Sequence, residues 1–282
     1  MVTVVNDIHS ELNRSEVLDV IGVNSAHAIK QGIITARSSG TPIAVSGGRY
    51  AMGGQQFCSG GIVFDTTKLN RVIGFDSKNG LIEVEAGIQW PDLLDFLETE
   101  QAGCSRQWGF AQKQTGADRL SIGGAISANA HGRGLAMAPF ISDVVSLRII
   151  NADGQLVECS RDKNHQLFRL VAGGYGLFGC IYSAIIQLAE RRVLERVVKL
   201  GQTDDLIERF YDRIADGYLY GDFQFTINNQ SDDFLRSGVF SCYRPIDGRP
   251  VPASHQKELS NEDWSRLLML AHTDKQLAYQ LY

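Results

Sequence analysis

Three glycine-rich segments, at residues 46–54, 116–134 and 173–179, each fall beside a strand edge, and together they limit this chain more than any other feature of its sequence. In the first, Ser46-Gly-Gly-Arg-Tyr-Ala-Met-Gly-Gly-Gln-Gln56, two glycine pairs bracket an arginine and a tyrosine. Glycine serves where backbone takes positive φ or where another group must approach it closely, so a pair on each side points to a loop wrapped around a ligand. One small phosphorylated metabolite would not need all three segments. A long anionic ligand would, with backbone N–H groups of the first loop holding a diphosphate and the other segments holding flat rings.

The elements between these segments read as a mixed α and β pattern. Ser25 caps a helix to about Arg37 with Ile29, Ile33 and Ala36 on one face, and the strand Pro42–Val45 leads into the first glycine loop. Strands follow at Ile62–Asp65 and Leu81–Ala86, and Pro91 opens a helix with a Leu93, Leu94, Leu97 stripe. A hairpin is expected from Val144 to Cys159 about a two-residue Asp153-Gly154 turn, then a short helix His165–Val171 and a strand Cys180–Leu188. Near residue 192 the glycines thin out. Beyond it a strand Arg196–Leu200, a helix capped by Thr203 with Leu206, Ile207, Phe210 and Ile214 inward, and a strand through Phe223, Phe225 and Ile227 are expected.

Several function classes are disfavoured at once. A net charge of −5 with no Lys/Arg cluster speaks against nucleic-acid binding. No apolar run reaches the roughly 20 residues of a membrane span, and the opening MVTVVNDIHSELNRS has no basic segment leading into an apolar stretch, so a cytoplasmic location is expected. The five cysteines, Cys58, Cys104, Cys159, Cys180 and Cys242, are scattered, and the six histidines show no His-x-x-x-His pair. Free, buried thiols and no metal site are expected. Gly174-Tyr-Gly176-Leu-Phe-Gly179 matches the Gly-x-Gly-x-x-Gly dinucleotide fingerprint, but a helix precedes it and a β-branched strand follows, the reverse of the order that fingerprint needs.

Taken in order and spacing, Ser46-Gly-Gly-Arg-Tyr-Ala-Met-Gly-Gly, Leu120-Ser-Ile-Gly-Gly-Ala-Ile-Ser-Ala-Asn-Ala-His-Gly132 and Gly173-Gly-Tyr-Gly-Leu-Phe-Gly-Cys-Ile181 resemble the vanillyl-alcohol oxidase/p-cresol methylhydroxylase flavoprotein superfamily over about residues 15–190. The resemblance implies an α+β fold: a two-subdomain FAD-binding domain of the p-cresol methylhydroxylase (PCMH) type over residues 1–192, then the start of an α+β cap, or substrate, domain over 193–282. Because that cap and a C-terminal segment supply much of the substrate pocket in the family, the chain is expected to be the N-terminal portion of a longer one. The implied activity is FAD-dependent removal of a hydride from the C–H of an alcohol, sugar, lactone or hydroxy acid, with oxygen or another acceptor taking the electrons. The alternative is an FAD-binding fragment or non-enzymatic relative without a complete active site.

Carried over by segment, the resemblance makes Gly47, Gly48, Arg49, Tyr50, Ala51, Met52 and Gly53 the diphosphate loop. Gly116, Ser121, Ile122, Gly123 and Gly124 would run along the diphosphate and ribityl chain, Ala128, Asn129, Ala130 and His131 would lie near the isoalloxazine, and Ile181 would meet the adenine side. Many members carry histidine where Tyr50 stands, bonded covalently to the flavin 8α-methyl carbon. Tyr50 therefore implies a non-covalent FAD, and its plainer reading is a loop tyrosine packed on Met52. His131 is the catalytic candidate, as acceptor of a substrate hydroxyl proton; its plainer reading is a backbone hydrogen bond within the glycine segment. Trp90 and Trp108 read as packing residues.

Overall fold

The chain divides into two units, Met1–Arg191 and Arg192–Tyr282, in a computed structural model that describes residues 2–114, 118–246 and 260–281. The first unit opens with an antiparallel pair, β1 (Thr3–Val5) and β2 (Ser15–Val17). Next come β3 (Asp19–Gly22), helix α1 (Ala26–Ser38), β4 (Ile43–Ser46) and β5 (Ile62–Asp65). The Ser25 hydroxyl accepts from the Ala28 amide to start α1, and the buried Ile29, Ile33 and Ala36 form its inner stripe. β3 and β4 both run parallel to β5, which lies between them. Parallel strands need a crossover, and α1 supplies it.

A five-stranded antiparallel sheet follows, built from β6 (Val72–Asp76), β7 (Leu81–Glu85), β9 (Val144–Ile150), β10 (Leu156–Ser160) and β11 (Cys180–Gln187) in the order β10-β9-β11-β7-β6. Between β7 and β9 lie α2 (Trp90–Glu100), the short β8 (Trp108–Gly109) and a six-residue helix α3 (Ile122–Ser127); α4 (His165–Val171) precedes β11, and β12 (Ala189–Glu190) pairs with β8. The sequence gives no helical sign for α3 because glycines occupy its first turn. The β9–β10 hairpin is wider than the expected two-residue turn. Asn151 donates its amide to Gln155, enclosing residues 152–154 with Gly154 at φ +73°, the three-residue form with glycine in the left-handed position.

Two larger apolar clusters and a small one around Val5, Val17 and Val63 are buried in this unit. Of the larger two, one gathers Ile82, Val84, Trp90, Leu93, Leu147, Ile149 and Ile186 beneath the antiparallel sheet. The other sets Ile29 and Ile33 of α1 on Phe64 of β5 and Ile150 and Cys180. Gly32 sits inside α1 at a cost in helix propensity; a Cβ there would lie 2.5 Å from the Phe64 ring. Trp90 and Trp108 are core residues, as read, with the Trp108 indole donating to the Ser77 carbonyl at 2.7 Å. All five cysteines are free and three are buried. Burial pushes the Cys159 thiol up to about 11 and the Cys180 thiol up to about 12, leaving both protonated and unreactive.

The second unit contains an antiparallel sheet in the order β13 (Leu194–Gln202), β15 (Ser237–Pro245), β14 (Tyr220–Phe225), together with helices α5 (Leu206–Ala215), α6 (Asn261–Thr273) and α7 (Lys275–Leu281). Phe240 of β15 is the hub, edge-on to Phe210 of α5 at 4.9 Å and tilted against Phe223 of β14 at 6.5 Å. The expected helix is present, but its start and burial differ from the sequence reading. Asp205, not Thr203, occupies the cap position without a side-chain bond, and Ile207 faces solvent at 67 % exposure.

In the first unit, Glu85 ends β7 with its side chain fully buried and takes hydrogen bonds from the Arg71 amide and guanidinium. Burial alone would raise its carboxyl, but the Arg71 bonds dominate and hold it below the usual carboxylate range. A depressed native pKa adds stability that is complete above the unfolded value and is lost as pH falls through the folded one. Glu85→Gln is therefore expected to destabilise the chain by about 1 kcal/mol at neutral pH, the exposed Arg71 partner limiting the loss, and to flatten the acid limb below about pH 4.5. Urea unfolding at pH 7 and pH 4 measures both.

Candidate functional site

A cavity of about 310 Å³ opens in the first unit where the three glycine segments meet. β4 delivers the first of them. The Thr66 amide and hydroxyl both donate to the Ser46 carbonyl at 2.9 Å, pinning the strand end just before Gly47. The loop then passes so near the second segment that side chains have no room: a Cβ on Gly47 would collide with the Ser121 hydroxyl, and one on Gly48 would lie 2.5 Å from the Arg119 carbonyl and 3.1 Å from the Tyr50 ring. These glycines are required first by the protein's own packing. Gly53 differs, since its φ is not positive and a Cβ there would meet only the mobile end of Gln55.

The hydrogen bonds of the loop are sorted by type. Three of its carbonyls are taken: Ile8 donates to Arg49 at 3.1 Å, Gly54 to Ala51 at 3.3 Å, and the Asn13 carboxamide to Met52 at 2.5 Å. Its amides are not, for none of the five from Gly47 to Ala51 donates to a protein acceptor among the described residues. All five of those residues line the cavity. Arg49, held at φ +58°, is the one charged side chain in the lining among the described residues. Gln56, also in the lining, has both ends of its carboxamide shut away from solvent without a protein partner, as does the buried Ser46 hydroxyl. Buried polar groups left unpaired are costly, so this cluster fits a polar, anionic ligand that supplies the missing bonds.

The second wall is α3, whose first-turn amides serve the fold. Ile122 donates to Ile88, Gly123 to Ala86 and Gly124 to the Ser121 hydroxyl at 3.3 Å. Gly123 is needed because a Cβ would press on Ala86 at 2.8 Å. The third segment is tied to the far end of α3 through Gly173 and Tyr175 amides on Ile126 and Ser127, and its Gly173, Gly176 and Gly179 adopt φ of +74°, +82° and +129°. A neighbouring cavity of about 700 Å³ shares Val45, Gly176 and Gly179 with the first and is floored by Ile33, Ile43 and Phe64.

Of the residues named from sequence, Gly47, Gly48, Arg49, Tyr50, Ala51, Ser121, Gly123, Gly124, Ala128, Ala130 and Ile181 line the cavity. Met52, Gly53, Ile122, Asn129 and His131 do not: Met52 is exposed, Ile122 is in the apolar core, and Asn129 turns the chain at φ +47°. Gly116 lies outside the described residues. His131 is exposed, and its Nδ1 lies 3.0 Å from the Gly132 carbonyl. The sequence reading gave no part to Thr66 and Ala86, both in the lining, and included Gln55, Gln56, Tyr175 and Gly176 only as members of the glycine segments. Thr66 and Ala86 each sit one residue past a strand end, which is where a strand-edge site collects its contacts.

Comparison with known proteins points the same way. A family model described as FAD binding domain matches residues 19–160, half of the chain. Similar proteins include an uncharacterized oxidoreductase, ORF5 of the fasciation locus of Rhodococcoides fascians, 32% identical over 158 residues that cover 56% of this chain and 34% of that protein. L-gulonolactone oxidase of Mus musculus is 27% identical over 164 residues, 58% of this chain and 35% of its own. Cytokinin dehydrogenase 7 of Oryza sativa subsp. japonica is 32% identical over 174 residues, 58% and 31%. The chain thus spans about a third of the length of these relatives.

The packing argument separates the two ends of the first loop. Gly48→Val forces the loop away from the Arg119 carbonyl and is expected to destabilise the ligand-free protein by about 1–3 kcal/mol, the cost of overpacking. Gly53→Ala is expected to stay within about 0.5 kcal/mol of the parent. Denaturant titration of both variants without added ligand gives the comparison; equal stability of Gly48→Val and the parent would show that the glycine is not held by the protein's own packing.

Proposed function

This chain belongs to the vanillyl-alcohol oxidase/p-cresol methylhydroxylase-type family of FAD-linked oxidoreductases, with FAD as cofactor, and from that premise we propose that it oxidises a C–H bond next to a hydroxyl in an alcohol, sugar, lactone or hydroxy acid. The observation that carries the cofactor's place is the run of five acceptor-less amides on the cavity wall beside Arg49. On this reading the Gly47–Gly53 loop would hold the diphosphate, Ser121–Gly124 would run along the diphosphate and ribityl chain, Ala128–His131 would border the isoalloxazine, and Ile181 would meet the adenine side. Bound FAD supplies a two-electron acceptor that oxygen or another oxidant regenerates. Tyr50, in place of histidine, leaves the cofactor held by non-covalent contacts alone. Residues 1–192 form the FAD-binding domain in this proposal, and 193–282 belong to a second, substrate domain.

His131 is the proton acceptor in this proposal. A carbonyl can only accept, so the contact with Gly132 requires Nδ1 to carry the hydrogen, and Nε2 is left with the lone pair that a base needs. Among the described residues, the lining of the cavity itself contains no carboxylate or imidazole, which favours a second reading: the chain binds FAD without completing an active site. Anaerobic addition of candidate sugars, lactones and alcohols to the yellow protein separates the two, since bleaching of the flavin absorbance requires a competent site.

Two outcomes are expected. Acid or heat precipitation releases free FAD into the supernatant; a precipitate that keeps its colour would show a covalent bond and sink the non-covalent reading. His131→Ala retains the flavin and slows its reduction by substrate about 10²-fold, the usual contribution of a positioned base. An unchanged rate would leave His131 a structural residue.

A further inference from the structure

The N-terminal segment from Asp7 to Asn13 has no place in the sequence motifs, yet it holds the cofactor loop from behind. Asp7 is almost wholly buried, at 1 % exposure. Its Oδ1 accepts from the amides of His9 at 3.0 Å, Ser10 at 2.5 Å and Glu11 at 3.3 Å, and its Oδ2 from the Ser10 hydroxyl at 3.0 Å. That turn sets the Ile8 amide on the Arg49 carbonyl, while Asn13 reaches the Met52 carbonyl and lies against Gly54, where a Cβ would stand 3.4 Å from its own. The His9 ring is 6.4 Å from that of Tyr50.

The carbonyl and the amide of a trans peptide point in opposite directions across one plane. No cis bond occurs among the described residues. Fixing the Arg49 carbonyl on Ile8 therefore turns the Tyr50 amide the other way, and Tyr50 lines the cavity. The same bond holds Arg49 in the left-handed region at φ +58°, a conformation that a non-glycine residue keeps only when its surroundings impose it. Since Ile8 is 49 % and Leu12 80 % exposed, Ile8 and Leu12 contribute little to the apolar core.

We propose that Asp7–Asn13 is a positioning element that sets the affinity of the loop for the diphosphate of FAD, by holding the Arg49 carbonyl so that the Tyr50 amide remains turned to the ligand and by tethering the far end of the loop through the Met52 carbonyl. This rests on the reading of the loop as the diphosphate site. Ile8→Pro deletes the donor to Arg49, Asn13→Ala deletes the donor to Met52, and Ile8→Val is the control that keeps the amide. Each is made in the full chain, stripped of flavin, and titrated with FAD, ADP and riboflavin, with melting of the ligand-free protein measured beside it.

The expected result is an approximately tenfold weaker affinity for FAD and for ADP in Ile8→Pro and in Asn13→Ala, equivalent to about 1.4 kcal/mol each, with riboflavin binding, ligand-free melting and Ile8→Val unchanged. Unaltered FAD and ADP affinity in both variants overturns the proposal. So does an equal loss for riboflavin, or a loss accompanied by a lower ligand-free melting temperature, because either would make the segment a general support. Should Ile8→Pro fail to fold, Asn13→Ala decides, since it removes only an exposed side chain. A parent protein that binds neither FAD nor ADP would instead refute the site itself.

Discussion

The close passage of the first glycine loop over the second is the constraint on which the cavity depends. Gly47 lies against the Ser121 hydroxyl and Gly48 against the Arg119 carbonyl, with no volume for a methyl group at either place. That contact brings a loop from the parallel sheet onto the segment that precedes α3. The same economy of space recurs at Gly123 against Ala86 and at Gly32 beneath Phe64. In each case a side chain is absent so that the backbone can approach a neighbouring backbone or side chain closely.

From that contact follows the chemistry of the cavity wall. A loop that closed all its own hydrogen bonds would offer a ligand little, whereas this one spends three carbonyls on Ile8, Gly54 and Asn13, and the amides of Gly47 to Ala51 have no protein acceptor among the described residues. Successive unpaired amides form a concave patch of positive potential, and Arg49 adds a full charge to it. The second wall behaves otherwise. The amides of the first turn of α3 are bound to Ile88, Ala86 and Ser121, so that turn serves as scaffold.

The third segment shows how one motif can carry two meanings. Gly174 to Gly179 has the spacing of a dinucleotide fingerprint, but α4 ends before it and β11 begins after it, so no helix N-terminus is presented. Gly176 and Gly179 still line the cavity, in left-handed backbone, because the chain must turn from α4 into the middle strand of the antiparallel sheet there. Neighbouring elements decided between the two meanings, and they were legible beforehand.

Local rules made much of this protein readable from its sequence. Hydrophobic spacing marked α1 and α2, alternation marked β7, and the strand at Ile62–Asp65 and the helix at His165–Val171 came out with the observed bounds. The three glycine segments named the cavity and most of its lining, because glycine is placed by backbone demands that any reader of the chain can see. Tertiary structure alone decided the rest. It formed α3 from glycines of poor helix propensity, by giving their amides partners on Ile88 and Ala86. Thr66 and Ala86 joined the site because β5 and β7 end at the same place, while His131 was left exposed outside the lining. Which face of the loop shows its amides was set by Asp7, Ile8 and Asn13, some forty residues upstream. Hydrogen bonds between segments distant in sequence leave no periodic trace in it, and only the folded chain brings their partners together.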